Sequence, residues 1–298
     1  LAGRNFECPS EDPYLAGRYA AAYVTGVQSV GVACAIKHFT ANDSEFERMT
    51  ISSEVDERTL RETSLVPFEA AVREAGVWAL MAAYNRVNGT YCSEHAALLA
   101  ILRDEWGFDG VVVSDWFGTH STVAAADAGL DWEMPGPAQW LGSHLAAAVR
   151  AGEVEPATVT AQACRLLMLA ARTGRLDSAA RTPEEHPDDP EDRSVARRAA
   201  RESFVLLRNE AGALPLGREV RTIAVIGPNA DAEIVQGGGS ARVEPHSVVT
   251  ALAGLRARFA PDGVEIVHEP GCPPFNPAPV LDHRVLDGLI REIGRAHV

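Results

Sequence analysis

Lysine is almost missing from this sequence. Of its 27 basic residues only one, Lys37, is a lysine, and the rest are arginine. Positive charge is scarce too: the formal net charge over 298 residues is −14. That balance disfavours nucleic acid and anionic membrane surfaces as partners, and it suits a neutral ligand such as a sugar. No run of apolar residues is long enough to cross a membrane. Cysteines 8, 34, 92, 164 and 272 are odd in number and widely spaced, with no Cys-x-x-Cys, so neither a zinc site nor a disulfide framework is indicated. No His/Asp/Glu cluster has metal-ligand spacing, so no metal and no cofactor are expected. The glycine loop Gln236-Gly237-Gly238-Gly239-Ser240 lacks both the Gly-x-Gly-x-x-Gly spacing and a P-loop ending, which makes a nucleotide reading weak.

The lone lysine stands in Ala33-Cys34-Ala35-Ile36-Lys37-His38-Phe39. Lysine carries a compact point charge on a flexible stem, whereas arginine offers a planar fork. Two readings are open: a surface lysine spared by codon bias, or an ammonium kept because a site needs it. The preceding apolar run from Val30 to Ile36 reads as a buried strand, which would put Lys37 and His38 at its carboxyl end. In α/β enzymes that end is where sites are built. Cys34, inside the run, reads as a small core residue.

A second strand end carries more chemistry. The turn pair Asp109-Gly110 precedes Val111-Val112-Val113-Ser114, which runs into Asp115-Trp116-Phe117-Gly118. Asp115 at the mouth of a parallel sheet could be a metal ligand, a general base or a nucleophile. With an indole beside it that can stack on a pyranose ring, a glycosidase nucleophile is the sharpest option. Position alone fits equally well a helix cap at Gly118-Thr119.

Along the chain, Asp12-Pro13 opens a helix through Tyr23 and Val27. A polar loop over 40–53 leads to a long amphipathic helix from Asp56 to Ala75. The run 77–85 reads as a strand, and Ser93 is expected to cap a helix through Trp106. The strand to Asp115 is followed by a helix over 122–128 and a short strand over 130–134. Two alanine-rich helices over 140–151 and 156–173 come next. The alternation predicts a parallel sheet with crossover helices, and its four strands amount to about half of a (β/α)8 barrel. Residues 181–192 read as a linker, followed by a helix over 194–209. The strand over 222–227, which ends in Gly-Pro-Asn, starts a second α/β unit and is expected to lack neighbours. A further strand is expected over 264–268.

Taken in order, Gly3-Arg4-Asn5-Phe6-Glu7, Ser10-Glu11-Asp12-Pro13, Lys37-His38-Phe39, Glu47-Arg48-Met49 and Asp56 to Glu62 form the first part of a pattern. Met81-x-x-Tyr84-Asn85, Ser114-Asp115-Trp116, Gly129-Leu130-Asp131, Gly227-Pro228-Asn229-Ala230 and Gly237 to Ser240 continue it. The ordered set resembles the β-glucosidase branch of family 3 glycoside hydrolases from Leu1 to about Arg291. The resemblance implies a retaining exo-glycosidase on a barrel followed by an α/β sandwich. It implies Asp115 as nucleophile, and Arg4, Lys37 and His38 as residues that hydrogen-bond the hydroxyls of the terminal sugar. Met81 and Tyr84 would line the same subsite and Trp116 would wall it. Glu7, Arg48 and Asp131 would fix loops, while Lys37 and Arg4 would help keep Asp115 ionised. The N-acetylglucosaminidase branch, with its Lys-His-Phe-Pro-Gly-His-Gly text, is disfavoured, because Thr40-Ala41-Asn42 follows Phe39 here.

The expected organisation is α/β. Residues 1–178 form the C-terminal part of a (β/α)8 barrel whose early strands fall before Leu1. Residues 179–220 link it to the start of an α/β sandwich at 221–291. Residues 292–298 match the translation of a sequencing adapter and are expected not to belong to the protein. The acid/base glutamate of this branch is expected beyond the chain, so no residue here is assigned that role. The 298 residues alone are expected not to hydrolyse β-glucosides. The expected partner is a β-glucoside or oligosaccharide, while compartment and oligomeric state are not readable. A β-xylosidase or exo-β-glucanase of the same family is the alternative enzyme. A non-catalytic carbohydrate-binding descendant is the alternative of another class.

Overall fold

A computed structural model describes residues 4–176, 185–236 and 239–272. Parts of the expected linker, Gly237 and Gly238 of the glycine loop, and the tail at 292–298 lie outside the described residues. The chain is mixed α/β with parallel sheets, and it divides into two units, residues 1–183 and 184–298.

In the first unit, helix α1 (Pro13–Gln28) starts where the Asp12 carboxylate accepts from the N–H groups of Tyr14 and Leu15, with Pro13 in the first turn. Strand β1 is Ala35–Phe39, and β2 is the short Ser52–Ser53. Asp56 caps α2 (Glu57–Thr59), which runs through a π-turn into α3 (Val66–Arg73). Strand β3 (Ala79–Ala82) leads to the hairpin of β4 (Arg86–Val87) and β5 (Thr90–Tyr91). Then come α4 (Ala96–Ala100), β6 (Val111–Ser114) and α5 (Val123–Ala128). Gly129, in the left-handed region at φ 103°, ends α5. Helices α6 (Ser143–Ala151) and α7 (Pro156–Arg172) close the unit.

Strands β1, β3 and β6 form one parallel sheet in that order. The residues of β6 are all buried, which is why its text is a run of valines and not an alternation. Phe39 packs edge-to-face on Phe68 and Trp106, and Leu80, Val112 and Leu130 are fully enclosed in the same core. Helices α1 and α3 meet at Gly17, where a Cβ would stand 3.1 Å from that of Ala70. The register pairs Phe39 with Ala82 and Ala82 with Ser114, so the carboxyl ends of the strands finish level.

Several expectations need correcting. The run from Val30 to Ile36 is not a buried strand. Gly31 turns at φ 78°, Val30 and Val32 are exposed, and pairing begins only at Ala35 on the edge of the sheet. Lys37 and His38 therefore lie within β1. Ser93 does not cap a helix: its hydroxyl donates to Gly118 O, and His95 Nδ1 accepts the Leu98 N–H. The stretch over 130–134 is a single parallel bridge, Val113 to Trp132, and not a strand of its own.

In the second unit, helix α8 is Pro190–Glu202, earlier than expected, because Asp189 and Pro190 supply the start that Ser194 was expected to give. Strand β7 (Thr222–Ile226) does have a neighbour: it pairs in parallel with β8 (Glu265–Glu269). Helix α9 (Ala251–Phe259), capped by Thr250, lies between them in sequence.

The segment after β6 is locked by charge. The Asp131 side chain is fully enclosed and accepts from Arg103 at 2.5 Å, from Arg165 of α7 at 2.7 Å and from the Val112 N–H at 2.8 Å. Removing one member of such a group strands the others without compensation. Asp131→Asn is expected to cost about 3–5 kcal/mol in urea unfolding of the protein, and a loss below about 1 kcal/mol would show that the group does not hold β6.

Candidate active site

Three chain segments meet at the level ends of the strands. From β1, His38 Nε2 lies 3.2 Å from Asp115 Oδ2, with both side chains nearly enclosed. From the segment after β3, the Tyr84 hydroxyl hydrogen-bonds the same carboxylate. From Asp115's own turn, the Trp116 N–H donates to Oδ1 at 2.7 Å. Burial works against the charge on Asp115, but the bonds from His38, the Trp116 N–H and Tyr84 outweigh it and hold the carboxyl below its ordinary range. Burial, and then the charge of Asp115, push the Tyr84 phenol up to about 12, so it remains a donor at neutral pH.

The turn after Asp115 is tightly built. The Gly118 N–H donates to Asp115 O at 2.9 Å, and a Cβ on Gly118 would press to 3.3 Å from the Tyr84 ring. Phe117 is held in the left-handed region at φ 62°, a costly conformation for an aromatic residue. Its N–H donates to Met134 O. The Trp116 indole stands 45% exposed beside the carboxylate, available for stacking. Asp115 does not act as a helix cap: no side-chain bond to the start of α5 is formed, and its carboxylate is used by His38, Tyr84 and its own turn.

The other residues singled out in the sequence are placed as follows. Lys37 is half-exposed on β1, its Nζ 3.7 Å from Glu7, and Arg4 pairs with the same Glu7 at 2.6 Å. The largest contributions to the lowering of Asp115 come from His38, the Trp116 N–H and Tyr84. Met81 is half-buried on β3, opposite Val113. Arg48 pairs with Glu45 and lies 5.3 Å from the centre of the Tyr84 ring, so it is tied to the site through that ring. Glu133, not singled out in the sequence, is nearly enclosed and accepts from the N–H groups of Gln139, Trp140 and Leu141. Two acids alternating in Asp131-Trp132-Glu133, within an otherwise apolar stretch, were the available signal. A separate cavity of about 320 Å³, lined by Trp132, Leu141, Leu145 and Gln162 among others, does not include Asp115. Among the described residues no group of three or more His, Cys, Asp or Glu is placed to hold a metal ion. No helix among them is long and apolar enough to cross a membrane.

Comparison with known proteins sets this geometry in a family. Residues 1–169 match the glycosyl hydrolase family 3 N terminal domain, and residues 204–286 match the C-terminal domain of the same family. The chain belongs to glycosyl hydrolase family 3. It is 54% identical over 274 residues to a β-glucosidase of Rhizobium radiobacter, covering 91% of this chain and 33% of that protein. It is 42% identical over 284 residues to a probable β-glucosidase K of Emericella nidulans, covering 95% of this chain and 34% of that protein. The crystal structure of a Kluyveromyces marxianus β-glucosidase in complex with glucose superposes with a TM-score of 0.83 at 37% identity, covering 95% of this chain and 36% of that one. The chain thus spans about a third of the length of the relatives it matches.

The balance at Asp115 is testable without substrate. Tyr84→Phe removes one donor, so the Asp115 carboxyl is expected to titrate at higher pH than in the wild type. Because the wild-type value is depressed, the stability Asp115 contributes is present above its unfolded value near 4 and is lost as pH falls through the folded value. Carbon-13 NMR of labelled aspartate reads the shift, and an unchanged titration would remove Tyr84 as a donor.

Proposed function

We propose that this chain carries the nucleophile side of a retaining exo-β-glucosidase site, with Asp115 as the nucleophile. The observation that supports it most is a buried carboxylate kept ionised by His38, Tyr84 and a backbone N–H, beside an exposed indole. In this reading the terminal glucosyl ring stacks on Trp116. Arg4, Lys37 and His38 donate to its hydroxyls, and Met81 and Tyr84 line the same subsite. These bonds hold the ring against Asp115, and those that are tighter in the transition state than in the bound substrate accelerate the reaction. An Asp115 oxygen attacks the anomeric carbon, the bond to the leaving oxygen breaks, and a glycosyl-enzyme ester forms. Water then attacks the same carbon, gives its proton to the carboxylate that had served as the acid, and frees Asp115, so the configuration is retained overall. The proton for the leaving oxygen comes from a carboxylic acid that we assign to no residue of this chain. Residues 1–178 would be the later part of a (β/α)8 barrel and 221–291 the start of an α/β sandwich. The β-glucosidase relatives favour glucose over xylose, and parallel assays on 4-nitrophenyl β-D-glucoside and β-D-xyloside decide between them.

Asp115→Ala in the full-length protein is expected to lower kcat by at least about 10³-fold without unfolding it, with partial recovery by azide on an activated glucoside. Near-wild-type turnover would remove Asp115 from its role. Lys37→Arg is expected to lower kcat/KM roughly ten- to hundredfold, since a charged donor to a hydroxyl is worth about 1.5–3 kcal/mol and the fork cannot take the place of the ammonium. Unchanged kinetics would place Lys37 outside the site.

A further inference from the structure

Glu133 lies beyond the residues so far given a part in the chemistry, yet it is a nearly enclosed acid with an unusual set of partners. Its two oxygens accept from the consecutive N–H groups of Gln139 at 2.9 Å, Trp140 at 3.0 and 3.1 Å, and Leu141 at 2.7 Å. Successive backbone N–H groups of this kind form a concave anion site. Here the anion is the chain's own side chain, so the loop over 133–141 is closed upon itself just before α6.

That closed loop grips the nucleophile segment. Next to Glu133, the Met134 N–H donates to Ser114 Oγ at 2.9 Å, and Met134 O accepts the Phe117 N–H at 2.9 Å. Trp132 O, on the other side of Glu133, accepts the Ser114 N–H at 2.9 Å. At the far end of the loop, Trp140 O accepts from Thr122 Oγ1 at 2.6 Å. Residues 114 and 117 flank the Trp116 N–H that holds Asp115, so both anchors of that turn belong to the strip that Glu133 closes. Phe117 needs such an anchor, because its left-handed backbone is costly unless its surroundings enforce it.

We infer that Glu133 is a positioning residue: by closing the loop over 133–141 it holds the 114–117 turn, and with it the orientation of Asp115. The inference rests on the proposed function for its catalytic consequence, but its structural part does not. The side-chain groups facing Asp115 are His38 from β1 and Tyr84 from the segment after β3, with Arg48 and Arg4 acting on Tyr84; Glu133 touches none of them through the contacts described. Its effect therefore passes through the backbone of the turn.

The experiment compares Glu133→Ala and Glu133→Gln with the wild type in the full-length protein. The first readout is hydrogen exchange at residues 114–118. Exchange is expected to accelerate at least about tenfold in Glu133→Ala and less in Glu133→Gln, while residues 98–102 of the core stay protected. The second is the acid limb of kcat/KM on 4-nitrophenyl β-D-glucoside. It is expected to move to higher pH in Glu133→Ala, as the Trp116 N–H loosens from Asp115, and to return most of the way in Glu133→Gln. A residue with only a stability role would lower the melting temperature and leave that limb in place. Unchanged exchange at 114–118, or an acid limb unmoved in both variants, overturns the inference. Since exchange needs no substrate, a folded wild type without glucosidase activity would refute the proposed function while accelerated exchange still upheld the anchoring. If Glu133→Ala does not fold, exchange at 114–118 in Glu133→Gln decides: acceleration there with residues 98–102 still protected upholds the inference, and wild-type exchange overturns it.

Discussion

A carboxylate removed from water has to be repaid by donors, and at Asp115 the repayment comes from three directions at once. His38, Tyr84 and the Trp116 N–H belong to three segments of chain, and together they outweigh the burial that would otherwise neutralise the acid. Much of the first unit can be understood as what is needed to bring these donors to one point. The parallel register of β1, β3 and β6 levels the strand ends. Gly118 leaves room for the Tyr84 ring, and Phe117 accepts an unfavourable backbone so that the turn can close.

Beneath that point the sheet is fixed by a different kind of interaction. Asp131 joins Arg103, Arg165 and the Val112 N–H, so the segment returning from α5 is tied to β6 and to α7 in one step. Glu133, two residues on, satisfies its charge on backbone N–H groups instead of arginines. The two acids divide the work: one fixes the strand that leads to Asp115, the other closes the loop that borders it.

Local signals in the sequence were reliable where one residue type has one physical use. Asp12-Pro13 announced the start of α1, and the valine run after Asp109-Gly110 announced β6 with Asp115 at its end. They failed where tertiary context decides. The apolar text from Val30 to Ile36 looks like a buried strand, but Gly31 turns the chain and β1 lies at a sheet edge. Ser93 looks like a helix cap, but its hydroxyl is spent on Gly118. Residue types revealed cations at Arg4 and Lys37, but not that both lie beside Glu7. Glu133 was passed over because its partners are backbone groups, and its alternation with Asp131 was the only trace of it in the side-chain text.

The claim on which the account turns is that Asp115 forms the bond to the sugar. The most direct measurement is covalent trapping of the full-length protein with a 2-deoxy-2-fluoro-β-glucoside carrying an activated leaving group, followed by tryptic mass mapping. The slowed second step lets the glycosyl-enzyme accumulate. One sugar is expected on the peptide spanning residues 104–150, with fragmentation placing it on Asp115. Inactivation with the label on any other residue would contradict the account.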